Sequence, residues 1–289
     1  LLSSDFAARL SERVIENHLY PFSFDEFLNF HAMNPANHRE QIENAVGITK
    51  KFDEYLACGA MPEVVETKEI NTKTDLLSSY FNTIIYKDLS TRFGIRDTLL
   101  IKDFALYLLG NAASIINLKK LADYFSSTRD TIRDFIKYLE MAFFIYTVQK
   151  FSFSAKTRVL SQKKSFTIDN GFCTALPFRF SPDKGKLLEN LVFIELKRRY
   201  PAVYYFLDNK ECDFIVKDDE QNLIAIQVCH DLNENNKPRE ISGLLSASKQ
   251  AGSSENIILT YNQTKNFTVG DAMIKVRPAW EWMLENRSL

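Results

Sequence analysis

Near its C-terminal end, the sequence contains a helix-like segment followed by two short apolar segments, and this pattern constrains the fold most strongly. The three segments are KGKLLENLVFIELKRR, ECDFIV and LIAIQVC. The first has apolar residues at helical spacing and carries Glu189, whereas the other two are strongly apolar segments of strand length. Asp213 lies in the second segment, and Gln227 and Cys229 lie in the third. Together with the strand-like segment AVYYFLDN between the first two, and with the helical and strand-like segments that follow, they predict an αβββαβ core.

This order resembles that of restriction-endonuclease-like folds. In active members a helix carboxylate, a strand carboxylate and a Glu-x-Lys pair on the next strand converge on a divalent cation that activates water. The resemblance implies that Glu189, Asp213, Gln227 and Cys229 occupy these positions. An amide ligates a hard cation poorly, and a thiol cannot supply the charge of an ammonium group. We therefore expect a degenerate, inactive domain without a bound metal. The alternative is a metal-dependent deoxyribonuclease in which Glu189 and Asp213 still hold magnesium together with water molecules.

Residues 97–155 contain three helical patterns followed by an alternating strand-like segment, which predicts a winged helix-turn-helix. In the third helix Ile132, Phe135, Ile136 and Leu139 form the expected core face, and Ser127 with Asp130 is a predicted capping box. Three basic residues on its polar face are candidates for DNA contacts: Arg129, Arg133 and Lys137. Asp130 and Asp134 share that face and would repel a phosphate backbone. We expect an intramolecular or protein-binding role, with a DNA-binding regulator as the alternative.

The segment after this unit has the strongest local positive charge, because no acidic residue occurs in it before Asp169. The candidates for a nucleic-acid backbone contact are Lys156, Arg158, Lys163 and Lys164, with Lys150 just upstream. Equally well, this basic segment is a wing and linker whose lysines keep it soluble. The following segment, SFTIDNGF, predicts a buried strand that ends in an Asn-Gly turn.

Composition narrows the class of protein. The 289 residues suffice for two or three domains. The net charge of −1 provides no overall field that would attract nucleic acid. Four widely separated cysteines indicate reduced thiols in a cytoplasmic protein. No run reaches the roughly 18 apolar residues of a membrane helix, so we expect no membrane partner.

The segment LLSSDFAARLSERVIENHLYPFSFDEFL resembles the region after the sensor strand in a prokaryotic, archaeal-type family of AAA-type ATPases with a C-terminal domain of unknown function. Later landmarks similar to that family are YLACGAMPEVV, FTIDNGF, GKLLENLVFIELKRR and ECDFIVKDDE. The resemblance implies an α/β multidomain chain in four parts. These are the end of the ATPase core and the start of its helical lid (1–65), a helical connector (66–96), the winged helix (97–155) and the degenerate nuclease-like domain (156–289).

The same resemblance implies that the full-length parent is an ATPase that binds ATP and magnesium. Neither G-x-x-x-x-G-K-[ST] nor G-x-G-x-x-G occurs here, so we expect no ATP hydrolysis by this chain alone. Arg9 and Arg13, one helical turn apart, either face a nucleotide bound by the missing upstream part or by a neighbouring subunit, or are solvated surface charges. The expected partners are that N-terminal nucleotide-binding core and a DNA or protein ligand, and oligomers are compatible with the family.

Overall fold

The computed structural model describes residues 18–35, 37–176 and 183–285. Arg9 and Arg13, the predicted nucleotide-facing residues, lie outside these ranges. Within them the chain is a mixed α/β protein with two β-sheets, so the predicted α/β class is confirmed. No helix in the described part of the chain is both long enough and apolar enough to cross a membrane.

The N-terminal part of the described chain is helical. Its helices are α1 (Phe24–Phe30), α2 (His38–Glu43), α3 (Ala45–Cys58), α4 (Pro62–Glu66), α5 (Ile70–Asn82) and α6 (Ser90–Phe93), with a π-helical segment (Thr83–Leu89) joining the last two. Ser23 and Glu26 form the capping box that the sequence predicts: each backbone N–H donates to the other side chain. Gly94 ends α6 in the left-handed conformation (φ 60°), which glycine adopts without steric cost.

The middle of the chain forms a small unit around a three-stranded antiparallel sheet. Its elements are α7 (Thr98–Gly110), β1 (Ser114–Ile115), α8 (Leu118–Tyr124), α9 (Arg129–Met141), β2 (Ile145–Val148), α10 (Ala155–Leu160) and β3 (Lys164–Thr167). The strand order is β1-β3-β2, so β3 is the central strand and pairs with both neighbours. The third strand of this sheet therefore lies beyond residue 155.

Helix α9 buries the apolar face that the sequence predicts. Ile132, Phe135, Ile136 and Leu139 are all buried. The predicted capping box was wrong, because the helix begins one residue later: Thr128, not Ser127, is the N-cap and accepts a hydrogen bond from the Thr131 N–H.

The C-terminal part forms a six-stranded mixed sheet in the order β4-β5-β6-β7-β9-β8. Its elements are α12 (Lys184–Arg199), β4 (Ala202–Leu207), β5 (Glu211–Lys217), β6 (Leu223–Val228), α13 (Lys237–Ala251), β7 (Glu255–Thr260), β8 (Lys265–Val269), β9 (Ala272–Pro278) and α14 (Ala279–Met283). β4 and β5 form the expected hairpin, and β6 is the expected buried central strand. Strand β8, an exposed edge strand paired with β9, was not predicted from the sequence.

A buried polar junction joins the helical part to the C-terminal part, and it corrects the predicted Asn-Gly turn. Asn170 and Gly171 open helix α11 (Asn170–Ala175) rather than a hairpin, because Asp169 caps that helix and accepts a hydrogen bond from the Gly171 N–H (2.7 Å). The other oxygen of Asp169 accepts one from the Ala60 N–H (2.6 Å). The fully buried Asn190 of α12 bonds the backbone N–H and carbonyl of Thr167 and the side chain of Asn170.

Candidate functional site

The two sequence-predicted carboxylates converge on one point of the C-terminal part, and a lysine lies between them. Glu189 projects from α12 and Asp213 from β5, and both are buried. The ammonium nitrogen of Lys164 lies 2.6 Å from a carboxylate oxygen of Glu189 and 3.1 Å from one of Asp213. A third carboxylate, that of Glu211, contacts the same nitrogen at 2.8 Å. The cluster therefore consists of one ammonium group and three acidic side chains.

Lys164 reaches this cluster from the other sheet. It is the first residue of β3, and the strand is fixed against the C-terminal part by Phe166, whose ring stacks on Phe193 of α12 at 4.1 Å and also contacts Phe214 of β5. The Lys164 side chain is only 3% exposed. The predicted role of Lys164 as a nucleic-acid backbone contact was therefore wrong, because its charge is buried and neutralised inside the protein.

Electrostatics favour a charged ammonium here. Burial lowers the pKa of Lys164, but the carboxylates of Glu189, Asp213 and Glu211 outweigh this effect and hold that pKa well above its usual value. Burial, reinforced by the carboxylate of Asp213, raises the pKa of Glu189 to about 8 against the opposing effect of Lys164. Removing the ammonium would take away the charge that opposes this rise in the pKa of Glu189.

Gln227 has both the oxygen and the nitrogen of its side-chain amide engaged in hydrogen bonds. Its carbonyl oxygen accepts a hydrogen bond from the Asp213 N–H (3.3 Å), and its amide nitrogen donates to the buried carboxylate of Glu240 on α13 (2.7 Å). If the amide were flipped, its oxygen would face the Glu240 carboxylate and its NH₂ group would face the Asp213 N–H. Both contacts would be repulsive, so the two partners fix the orientation of the amide. Gln227 is thus a structural bridge between β5 and α13. Glu240 is also paired with the exposed Arg239.

Cys229 is not placed to act as a nucleophile. It is buried, and burial raises the pKa of its thiol to about 12, with further contributions from Glu240 and Asp213. The neighbouring His230 stacks its ring on Tyr261, with 4.8 Å between the ring centroids.

The cluster forms one wall of a cavity of about 730 Å³. Acidic residues predominate in its lining: Asp183, Glu189, Glu211, Asp213, Asp231 and Glu240. The basic residues there are Lys164, Lys186, Lys210 and Arg239. Since Lys164 is already neutralised, the cavity disfavours a phosphodiester unless further cations enter with it.

The residues present do not fit a divalent metal ion in this arrangement. Magnesium requires oxygen ligands about 2.0–2.1 Å away in octahedral geometry, but here an ammonium group lies between the oxygens of Glu189 and Asp213. The amide oxygen of Gln227 already accepts a hydrogen bond. Among the described residues, no group of three or more His, Cys, Asp or Glu side chains is arranged to hold a metal ion.

The other predicted nucleic-acid residues do not join this site. Arg129, Arg133 and Lys137 are exposed on α9, where Arg133 is paired with Asp130, as the mixed charges of that face suggest. Lys156 is exposed on α10, whereas Arg158 and Lys163 are half-buried. The Arg158 guanidinium donates to the carbonyl of Ser152 at 2.6 Å. No described contact brings these residues to Lys164 and its carboxylates.

Sequence reasoning missed three members of the site. Glu211 could have been found, because it lies two residues before Asp213 on the same strand and therefore on the same face. Lys164 and Glu240 are far from the motif in sequence and belong to other elements, so no local spacing indicated them.

Two family models match consecutive parts of the chain. Residues 49–184 match the domain of unknown function DUF8612, and residues 184–282 match the domain of unknown function DUF4143. The matches are consecutive and meet at the N-terminus of α12.

Two longer proteins are similar to this chain. It is 33% identical to the uncharacterized protein MJ1544 of Methanocaldococcus jannaschii, over 98% of this chain and 66% of that protein. It is also 33% identical to an uncharacterized protein of Haemophilus influenzae, over 81% of this chain and 58% of that protein. The chain thus spans less than two thirds of the full length of each.

A solved structure of Thermococcus gammatolerans McrB AAA+ hexamers with bound McrC also aligns with the chain. The alignment covers 61% of this chain and 47% of that one, at 14% identity and a TM-score of 0.26. This score is too low to establish a common fold.

Proposed function

We propose that this chain is the C-terminal part of an AAA-type ATP-binding protein, and that its nuclease-like domain is a non-catalytic module that binds nucleic acid or a partner protein. The resemblance of several segments to AAA-type ATPases supports the parentage. The greater length of the relatives leaves room for a nucleotide-binding core in the parent, which would bind ATP and magnesium.

The observation that carries the loss of nuclease activity is the position of Lys164. The helix–strand–strand–strand order and the convergence of Glu189 and Asp213 are the features that support a nuclease-like ancestry. In an active site of this kind, the cation between the carboxylates would polarise the phosphodiester and generate the attacking hydroxide. An ammonium group has no open coordination position for a water molecule, so it cannot generate that hydroxide.

A cleavage assay tests this proposal. The purified chain is incubated with linear and supercoiled DNA in magnesium, in manganese and in EDTA, beside an Asp213→Asn variant that is checked for folding by circular dichroism. We expect equal, background-level cleavage in every condition. Manganese-dependent cleavage that is lost in folded Asp213→Asn would overturn the proposal and favour the metal-dependent deoxyribonuclease. In that case Lys164 would supply the ammonium group that position 229 lacks.

ATP hydrolysis tests the parentage separately. The 289-residue chain has no phosphate-loop motif, so we expect no turnover above that of a mock purification, whereas the longer parent should hydrolyse ATP with magnesium. Hydrolysis by this chain alone, or none by the longer parent, would contradict the assignment.

A second candidate function is DNA binding by the middle unit. The order helix–strand–helix–helix–strand–helix–strand, with β3 between β1 and β2, supports a winged helix over residues 97–155 extended by β3. Arg129 and Lys137 are exposed on its third helix. A salt-dependent mobility shift that weakens in Arg129→Ala/Lys137→Ala, but not in a Lys87→Ala control, would support this function. No shift at low salt would exclude it.

A further inference from the structure

The large sheet has two edges, and the described part of the chain covers only one of them. Along β4 the backbone of residues 149–151 adds a further pairing: the Phe151 N–H donates to the carbonyl of Tyr205 (2.6 Å), and the Tyr205 N–H donates to the carbonyl of Gln149 (3.1 Å). At the other edge, β8 pairs with β9 and with no other strand of the described residues. An edge strand presents a row of N–H and C=O groups that can pair with another strand.

The backbone groups of Asn266 and Thr268 face this open edge. The β8–β9 register pairs Val269 with Ala272 across a two-residue turn, and the residues that flank such a turn bond to each other. Bonded and non-bonded pairs alternate along an antiparallel ladder, so Asn266 and Thr268 belong to the non-bonded pairs and their N–H and C=O groups point outward. The carbonyl of Met273, which lies opposite Thr268, accepts a hydrogen bond from β7 instead, in agreement with this alternation.

The sequence of β8 leaves this edge accessible. Natural edge strands are commonly protected by a proline, by a β-bulge or by inward-pointing charges. The sequence KNFTV has no proline, its one lysine is at the first position, and its register with β9 is continuous over the whole strand. Phe267 is half-buried against the apolar core beneath α13, and the other side chains of β8 are exposed. A further strand can therefore be added without rearrangement of β8.

The strand that fits this edge best is a second copy of β8 running antiparallel. With a two-fold axis at Phe267, Asn266 of each copy lies opposite Thr268 of the other, and each opposed pair exchanges both of its N–H···O bonds. The two Phe267 rings meet across the axis as an aromatic cross-strand pair. Charge favours the same direction, because the exposed Lys265 of one copy faces the end of the other strand, next to the exposed Asp271. A parallel pairing would bring the two lysines together.

We propose that β8 is a dimerisation edge: two copies of the chain pair their β8 strands antiparallel about Phe267, so that one sheet continues through both. The pairing of one short strand buries little surface, which places the contact among the weak, concentration-dependent interfaces. The pairing uses no residue of the cluster around Lys164 and none of the middle unit, so it is independent of nucleotide binding and of nuclease ancestry.

Sedimentation velocity from about 1 µM to about 1 mM, the range of weak affinities, measures the dimer directly. We expect the wild type to dimerise as its concentration rises. Thr268→Pro removes an outward N–H and leaves the bonds to β9 intact, at a position where edge strands tolerate proline. It should weaken the dimer at least about tenfold, because the hydrogen bond is lost on both sides of the two-fold axis. Thr268→Val keeps the N–H and the shape of the side chain, so this matched control should dimerise like the wild type.

Two double variants test the register without a proline. Asn266→Lys/Thr268→Lys sets lysine opposite lysine across the interface and should abolish the dimer. Asn266→Lys/Thr268→Glu sets lysine opposite glutamate and should retain it. Both positions are exposed, so both variants should remain folded, which circular dichroism checks.

A wild type that stays monomeric up to about 1 mM would overturn the proposal. Equal dimerisation of the two double variants would do so as well, because the opposed side chains would then not be Asn266 and Thr268. A folded Thr268→Pro variant that dimerises as tightly as the wild type would place the contact elsewhere and would also overturn it. If Thr268→Pro does not fold, the two double variants decide.

Discussion

The ammonium of Lys164 lies 2.6 Å from a carboxylate oxygen of Glu189, although one residue belongs to the small sheet and the other to a helix that packs on the large sheet. This contact places a fixed positive charge between the buried carboxylates of Glu189 and Asp213. It also makes the stability of the C-terminal part depend on a residue of the small sheet.

Replacing Lys164 with Met is expected to destabilise the protein by about 3–5 kcal/mol, the usual cost of removing one partner from a buried ion pair. The free energy of unfolding is measured by urea denaturation in EDTA. Lys163→Met, at the half-buried preceding position, should change that free energy by less than about 0.5 kcal/mol. A loss below about 1 kcal/mol in Lys164→Met would show that the ammonium does not balance the cluster.

Gln227→Glu is expected to destabilise the protein by about 1–3 kcal/mol at neutral pH, because the new carboxylate would face that of Glu240, 2.7 Å from the present amide nitrogen. Glu240→Gln in the same chain should recover most of the loss. In the double variant the amide at position 240 donates to the carboxylate at position 227, and that carboxylate still accepts a hydrogen bond from the Asp213 N–H. Additive losses in the double variant, measured by a double-mutant cycle, would contradict this account of the bridge.

The buried Asp169 is expected to make stability depend on pH. Burial, which outweighs the hydrogen bonds from the N–H groups of Ala60 and Gly171, raises the pKa of Asp169 to about 6. The folded state therefore binds this proton more tightly than the unfolded state, whose pKa is about 3.9. The contribution, about 3 kcal/mol, is complete below pH 4 and is lost as the pH rises through 6.

Urea denaturation at pH 4.5 and pH 6.5 measures this dependence. Asp169→Asn cannot titrate, so the decrease in the free energy of unfolding between the two values should be smaller in the variant than in the wild type, whatever its absolute stability. An equal decrease in both proteins would show that Asp169 does not carry the titration.

Gly171→Ala is expected to destabilise the junction by at least about 1–3 kcal/mol, the usual cost of inserting a methyl group into a packed site. A Cβ there would lie 2.5 Å from the carbonyl oxygen of Cys58 and 2.8 Å from a carboxylate oxygen of Asp169. Gly185→Ala, also in the first turn of a helix, meets nothing closer than 3.3 Å and should have little effect. Comparable melting temperatures for the two variants would contradict the close approach of α11 to α3.

Local sequence patterns predicted the helices and strands of this fold better than they predicted the cluster around Lys164. Helix α9 with its buried Ile132 and Leu139, the β4–β5 hairpin and the buried strand β6 follow from periodicity, because each pattern reports how one element faces its own core. The edge strand β8 was missed because both of its faces are largely exposed and its sequence, KNFTV, lacks a long apolar pattern.

The site was predicted only in part for a related reason. Glu189 and Asp213 converge as the sequence indicated, but the charge that holds them together comes from Lys164, which precedes Glu189 by a strand and a helix. Its basic neighbours made it resemble a surface residue. Only the pairing of β3 with β1 and β2 and the packing of Phe166 on Phe193 turn the lysine inward, and these are tertiary contacts that no single segment encodes.

The most direct test of the central claim is anomalous diffraction from wild-type crystals soaked in manganese chloride. We expect no anomalous peak between Glu189 and Asp213, and the ammonium of Lys164 should remain in contact with both carboxylates. A manganese peak there, with the Lys164 side chain displaced, would contradict the claim that this protein supplies its own cation.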